Sequence, residues 1–96
     1  MTAYVIVQGQ VSDPEQYERY KAQAPATITA AGGRYLVRGA DVTVLEGDPP
    51  PERTVVLQFP NRQAALDWYH GDGYTAARAL RKDAARLSIY VVDGLE

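Results

Sequence analysis

The sequence predicts an α+β fold, a four-stranded antiparallel sheet with its helices in the order β-α-β-β-α-β, and three features of the chain predict it. Stretches rich in β-branched and aromatic residues, without helical period, alternate with stretches whose apolar residues return every three or four positions. Glycines, prolines and capping residues stand at the junctions between them. The chain is short, at 96 residues, so these elements must share one thin core in a single domain spanning residues 1–96.

The first strand is Tyr4 to Val7, continuing through Gln8, Gly9 and Gln10 to Val11. Tyr4 and Ile6 lie on one of its faces and Val5, Val7 and Val11 on the other, so both faces call for cover. Ser12-Asp13-Pro14-Glu15 then starts a helix, with Ser12 or Asp13 as cap, Pro14 in the first turn and Glu15 placed for a capping box with Ser12. Tyr17, Tyr20, Ala24, Ile28 and Ala31 line one face of that helix. It ends at Gly32-Gly33, one of which is expected at positive φ, and Pro25 should kink it by removing a backbone hydrogen bond. Arg34 to Arg38 and Val42 to Glu46 both alternate as strands around Gly39-Ala40-Asp41, which reads as a tight turn or, preferably, a bulge in one long bent strand. Gly47 to Glu52, with its three prolines, is a stiff loop. Arg53 to Phe59 is the next strand. Pro60-Asn61 stops it and caps a helix packed through Ala64, Ala65, Trp68 and Tyr69. Gly71-Asp72-Gly73 breaks that helix, a second piece runs from Tyr74 to about Ala85, and the final strand is Leu87 to Val92.

This order, with the second helix split, is the ferredoxin-like arrangement of a sheet with helices on one face. One sheet face is then bare. Because Tyr4, Ile6, Leu87, Ile89 and Val91 cannot all lie beneath the helices, a homodimer is the economical cover.

Hydrophobic residues at 46% and charged residues at 23% are ordinary for a globular chain. The formal charge of −2 gives no basic field to hold nucleic acid. The absence of cysteine removes disulfides and thiolate chemistry and makes the cytoplasm the default location. The longest apolar runs are far shorter than the ~20 residues that span a bilayer, so no membrane role is expected. No cofactor is implied, and the scattered aspartates and lone His70 lack metal-ligand spacing. Ser12 and Ser88 stand outside any nucleophile elbow.

Arg34-Tyr35-Leu36-Val37-Arg38-Gly39, Val44-Leu45-Glu46-Gly47-Asp48, Phe59-Pro60 and Trp68-Tyr69, with Asp13-Pro14, Tyr17, Tyr20, Pro25 and Gly32-Gly33, resemble the family called Domain of Unknown Function 1330. The likeness runs over essentially the whole chain. It implies a dimeric α/β-barrel, the architecture also found in small antibiotic-biosynthesis monooxygenases and muconolactone isomerases, and no established reaction. After its Trp-Tyr pair the family commonly has a Ser-Pro-Glu-Tyr-like stretch, where this chain has His70-Gly71-Asp72-Gly73-Tyr74.

Residues able to carry chemistry are few. Arg38, beside Gly39, presents a guanidinium fork that suits a carboxylate, and Glu46 lies on the same bent strand, as its ion-pair partner or as a proton carrier. His70 is the other candidate acid or base, set against a plain role at a helix end. Trp68, Tyr69 and Tyr74, with Arg78, would line a pocket for a carboxylated or aromatic compound, or else be core. Two functions follow: a cofactor-free enzyme of monooxygenase- or isomerase-like type, or a non-catalytic dimeric binding or accessory protein with a structural Arg38–Glu46 pair.

Overall fold

The structure is a computed structural model that describes residues 1–39, 41–48 and 52–95. Strand β1 (Ala3–Val11) leads into helix α1 (Pro14–Ala30), then strands β2 (Arg34–Arg38) and β3 (Arg53–Phe59), helices α2 (Arg62–His70) and α3 (Asp72–Ala79), and strand β4 (Ala85–Asp93). The strands form one sheet in the order β2-β3-β1-β4, every neighbouring pair antiparallel. This is the expected βαββαβ topology with a divided second helix.

Local chemistry sets the helix ends. Asp13 is the cap of α1, its carboxylate accepting the Gln16 amide at 3.1 Å. Ser12 makes no capping box with Glu15. Its hydroxyl turns to the Asp83 carbonyl, and the Gln16 side chain crosses to the Leu80 and Lys82 carbonyls, tying α1 to the turn before β4. At the far end Gly33 N–H donates to Ile28 at 2.9 Å and Gly32 N–H to Thr29 at 3.0 Å, a Schellman close with Gly32 at φ +83°. Asn61 caps α2 by accepting the Ala64 amide at 2.8 Å.

The core lies between the helices and one sheet face. Ala3, Val5 and Val7 pair across the ladders with Phe59, Leu57 and Val55, and all six are buried against Tyr17, Tyr20, Ala24, Ile28, Trp68 and Tyr74. Leu87, Ile89 and Val91 also face the helices, since Val91 and Ile89 pair with Val5 and Val7. The opposite face therefore carries Tyr4, Ile6, Tyr90 and Val92 and omits those three β4 residues, which corrects the set expected there. That face remains partly apolar, with Tyr90 48% and Val92 44% exposed.

Two further expectations are corrected. The long bent strand ends at Arg38: β3 begins at Arg53 and pairs Val55 with Arg38, so no strand stands opposite residues 42–46 among the described residues. Gly39, at φ +66°, turns the chain away after its N–H bonds the Thr54 carbonyl at 2.8 Å. The bulge lies instead at Leu36, between Tyr35↔Leu57 and Val37↔Val56. Ala40 and the triple proline fall outside the described residues. The last helix stops at Ala79, short of Ala85, because a tight turn with Asp83 at φ 63° reverses the chain into β4.

Candidate functional site

Three arginines, each over a tyrosine ring, gather beneath α1: Arg38 over Tyr35 at 4.6 Å, Arg53 over Tyr17 at 5.4 Å and Arg81 over Tyr20 at 5.2 Å. The fold explains each placement. Val55, Leu57 and Phe59 face the core, so alternation turns Arg53 the same way. On β2 strict alternation would place Tyr35 and Arg38 on opposite faces, but the bulge at Leu36 shifts the register. Tyr35 then opposes Leu57 and Arg38 opposes Val55, so both face α1. Arg81 arrives from the turn after α3.

Arg38, Arg53 and the three tyrosines line a cavity of about 20 Å³ between α1 and the sheet, together with Trp68 and apolar residues, while Arg81 stands behind Tyr20 and outside the lining. A volume of that size holds about one water molecule. The ion pairs among the described residues are Lys21–Glu18 and Arg62–Asp93, so Arg38, Arg53 and Arg81 have no carboxylate partner there. The Nε–H groups of Arg53 and Arg81 are buried and donate no hydrogen bond within the protein.

The tyrosines add no negative charge. Burial pushes the Tyr17 phenol up, against the pull of Arg53 and Arg81, and pushes Tyr35 up against Arg38 and Arg53. Tyr20 is raised furthest, by burial and by Tyr74, whose hydroxyl lies 2.6 Å from its own. Burial works to lower Arg81, yet the Tyr74 and Tyr20 hydroxyls hold it above its ordinary value. The cavity is thus rimmed by cations and neutral donors, an arrangement that suits an oxyanion.

Of the residues singled out in the sequence, Arg38 and Trp68 line this cavity, and Tyr74 joins it through Tyr20. Tyr69 packs on Trp68 and Tyr74, with Arg78 over its ring at 4.4 Å, in a cluster on the α2–α3 side. His70 is exposed and meets the edge of Tyr69 at 5.2 Å. Glu46 is exposed in a segment without regular structure and forms no pair with Arg38. Neither His70 nor Glu46 lines the cavity. No motif in the sequence marks Arg53 or Arg81 as a site residue, although the period-two pattern of Val55, Leu57 and Phe59 sets Arg53 on the core face. Among the described residues no group of three or more His, Asp or Glu side chains is placed to hold a metal ion.

The four-stranded antiparallel sheet with its helices on one face is a ferredoxin-like α+β fold. The chain belongs to the family described as Domain of unknown function (DUF1330), whose model matches residues 2–95. Solved structures share the fold at low identity. A protein of unknown function from Rhodopseudomonas palustris aligns with a TM-score of 0.78 at 16% identity, over 99% of this chain and 83% of its own. A variant of SnoaB, described as a cofactor-independent oxygenase from Streptomyces nogalater, aligns at 0.64 and 10% identity, over 99% and 94%. A dimeric protein of unknown function and ferredoxin-like fold from Bacteroides fragilis aligns at 0.61 and 13%, over 97% and 96%. No curated protein matches the chain. No helix among the described residues is long and apolar enough to cross a membrane.

Proposed function

We propose that the cavity beneath α1 receives the anionic end of a small carboxylated or aromatic compound, and that the protein acts on this compound without a cofactor, as a homodimer joined through its open sheet faces. The observation that carries the proposal is that Arg38 and Arg53 line the cavity without a carboxylate partner among the described residues, with Arg81 over the Tyr20 ring beside it. The half-buried Arg53 guanidinium loses hydration that an acceptor must replace, and a bound carboxylate or phenolate supplies one, with the exposed Arg38 at the mouth. Tyr35, half-buried beside the exposed Arg38, offers a flat surface for a ring at the cavity mouth. The scaffold shared with SnoaB supports the cofactor-free oxygenase type, by analogy of fold alone. Glu46 and His70 stand outside the anion-binding end in this proposal.

The partly apolar sheet face with Tyr4, Ile6, Tyr90 and Val92 supports the dimer, as does the dimeric neighbour of the same fold. The small cavity favours a second reading, a dimeric binding or accessory protein without turnover, because only about one water fits before side chains move.

Thermal denaturation with benzoate and with benzamide tests the proposal. A ligand bound to the native state raises Tm by mass action. Benzoate should raise Tm saturably and benzamide should not, and Arg53→Gln should abolish the difference. Equal shifts from the acid and its neutral amide, or none from either, would remove the anion site.

A further inference from the structure

Pro25 stands at the middle of α1, where proline is costly, and the helix runs on through it to Ala30. Proline has no backbone N–H, so the carbonyl four residues earlier, that of Lys21, lacks its helical donor. The donor that reaches this carbonyl comes from the edge of the sheet: Nη2 of Arg38 lies 3.5 Å from it. Arg38 can do so because the Leu36 bulge turns it toward α1, where its guanidinium also stacks on Tyr35.

We propose that Pro25 is a positioning residue for the anion site: by leaving the Lys21 carbonyl free, it anchors one arm of the Arg38 fork at the cavity mouth. The guanidinium is a planar array of donors, so an arm held by Lys21 leaves its other N–H groups available to a carboxylate in the cavity. An exposed arginine held in place before binding loses less rotamer freedom when the anion arrives. Lys21 contributes through its backbone, while its ammonium is engaged with Glu18 at 3.1 Å. The inference rests on the anion reading of the cavity and adds to it the residue that sets the arginine.

Pro25→Ala tests it, because alanine restores the helical N–H and should displace Arg38 from the Lys21 carbonyl. In the protein without ligand, NMR relaxation of the Arg38 Nε–H should report a more mobile side chain. Titration with benzoate should show affinity weakened about three- to tenfold, the scale of ordering one long side chain. The same alanine position carrying an α-hydroxy acid, which joins the chain by an ester and lacks the N–H, should return both readouts toward wild type. A change that is merely structural would leave Arg38 mobility untouched and would not be rescued by the ester. Unchanged Arg38 mobility or unchanged affinity in Pro25→Ala overturns the inference while the anion site stands. Failure of the wild-type protein to bind benzoate overturns the proposed function, and this inference with it.

Discussion

Removing the two hydroxyls of the Tyr20–Tyr74 pair one at a time should cost more, summed, than removing both together. The two oxygens lie 2.6 Å apart, and Tyr74 is 1% exposed, so its hydroxyl has no bulk water to fall back on. Tyr20→Phe loses a hydrogen bond worth about 0.5–1.5 kcal/mol and leaves the Tyr74 hydroxyl with Arg81, for a total of about 1–2 kcal/mol. Tyr74→Phe strips a partner from both Tyr20 and Arg81 and should cost about 2–3 kcal/mol, since a stranded buried polar group alone costs about 1–3 kcal/mol. The double variant leaves no orphan within the pair and should cost about 2–3 kcal/mol, less than the sum of the singles by about 1–2 kcal/mol. Urea unfolding of the four proteins at one fixed protomer concentration measures the coupling, and a loss of 1 kcal/mol corresponds to about 4–8 °C in Tm for a chain of this size. Single changes that add to within about 0.5 kcal/mol would show that the Tyr20 and Tyr74 hydroxyls are not coupled.

Other outcomes follow from the same geometry. Arg53→Met should be neutral or stabilising in chemical unfolding while anion binding is lost, whereas a purely structural arginine would make the same change destabilising. Because burial and Tyr74 raise the native Tyr20 phenol, the unfolded chain loses that proton first, so stability should fall as pH climbs past about 10; Tyr20→Phe should lessen the fall by at most about 1.4 kcal/mol per pH unit in urea titrations. Gly32→Val should destabilise by about 1–2 kcal/mol or more, since φ is +83° there, and Gly33→Val should fail for another reason, a Cβ 2.6 Å from the Phe59 ring; an unchanged Tm in both would refute the helix close. Light scattering should give a dimer mass that Tyr90→Lys with Val92→Lys converts to monomer; a wild-type monomer at tens of micromolar would leave the apolar face unexplained.

The topology was legible because strong local signals agreed with one another: Asp13-Pro14 and Gly32-Gly33 bounded α1, and Asn61 opened α2, each by satisfying backbone groups that the structure shows bonded. The segment Val42–Glu46 misled because alternation marks strand-forming residues and says nothing of a partner strand, and β3 starts too late to provide one. The same limit hid the site. Arg38 was visible as a strand arginine, but which face it takes depends on a one-residue bulge at Leu36 that no turn residue announces. Arg81 follows a helix whose end the apolar spacing of Ala77, Leu80 and Ala84 extends too far, past the turn that carries it toward Tyr20. The sequence marks Pro25 only as a helix breaker, because the carbonyl it frees finds its donor on β2, a contact that only the tertiary fold creates.

The most direct test of the anion cavity is a crystal structure with 4-bromobenzoate, in which the bromine's anomalous signal locates the ligand without reference to refined side chains. The carboxylate should face Arg38 and Arg53 beneath α1, with the ring against Tyr35 and the bromine toward solvent. A bromine peak at the α2–α3 cluster or at the sheet face, with the α1 cavity holding only water at saturating ligand, would contradict the site.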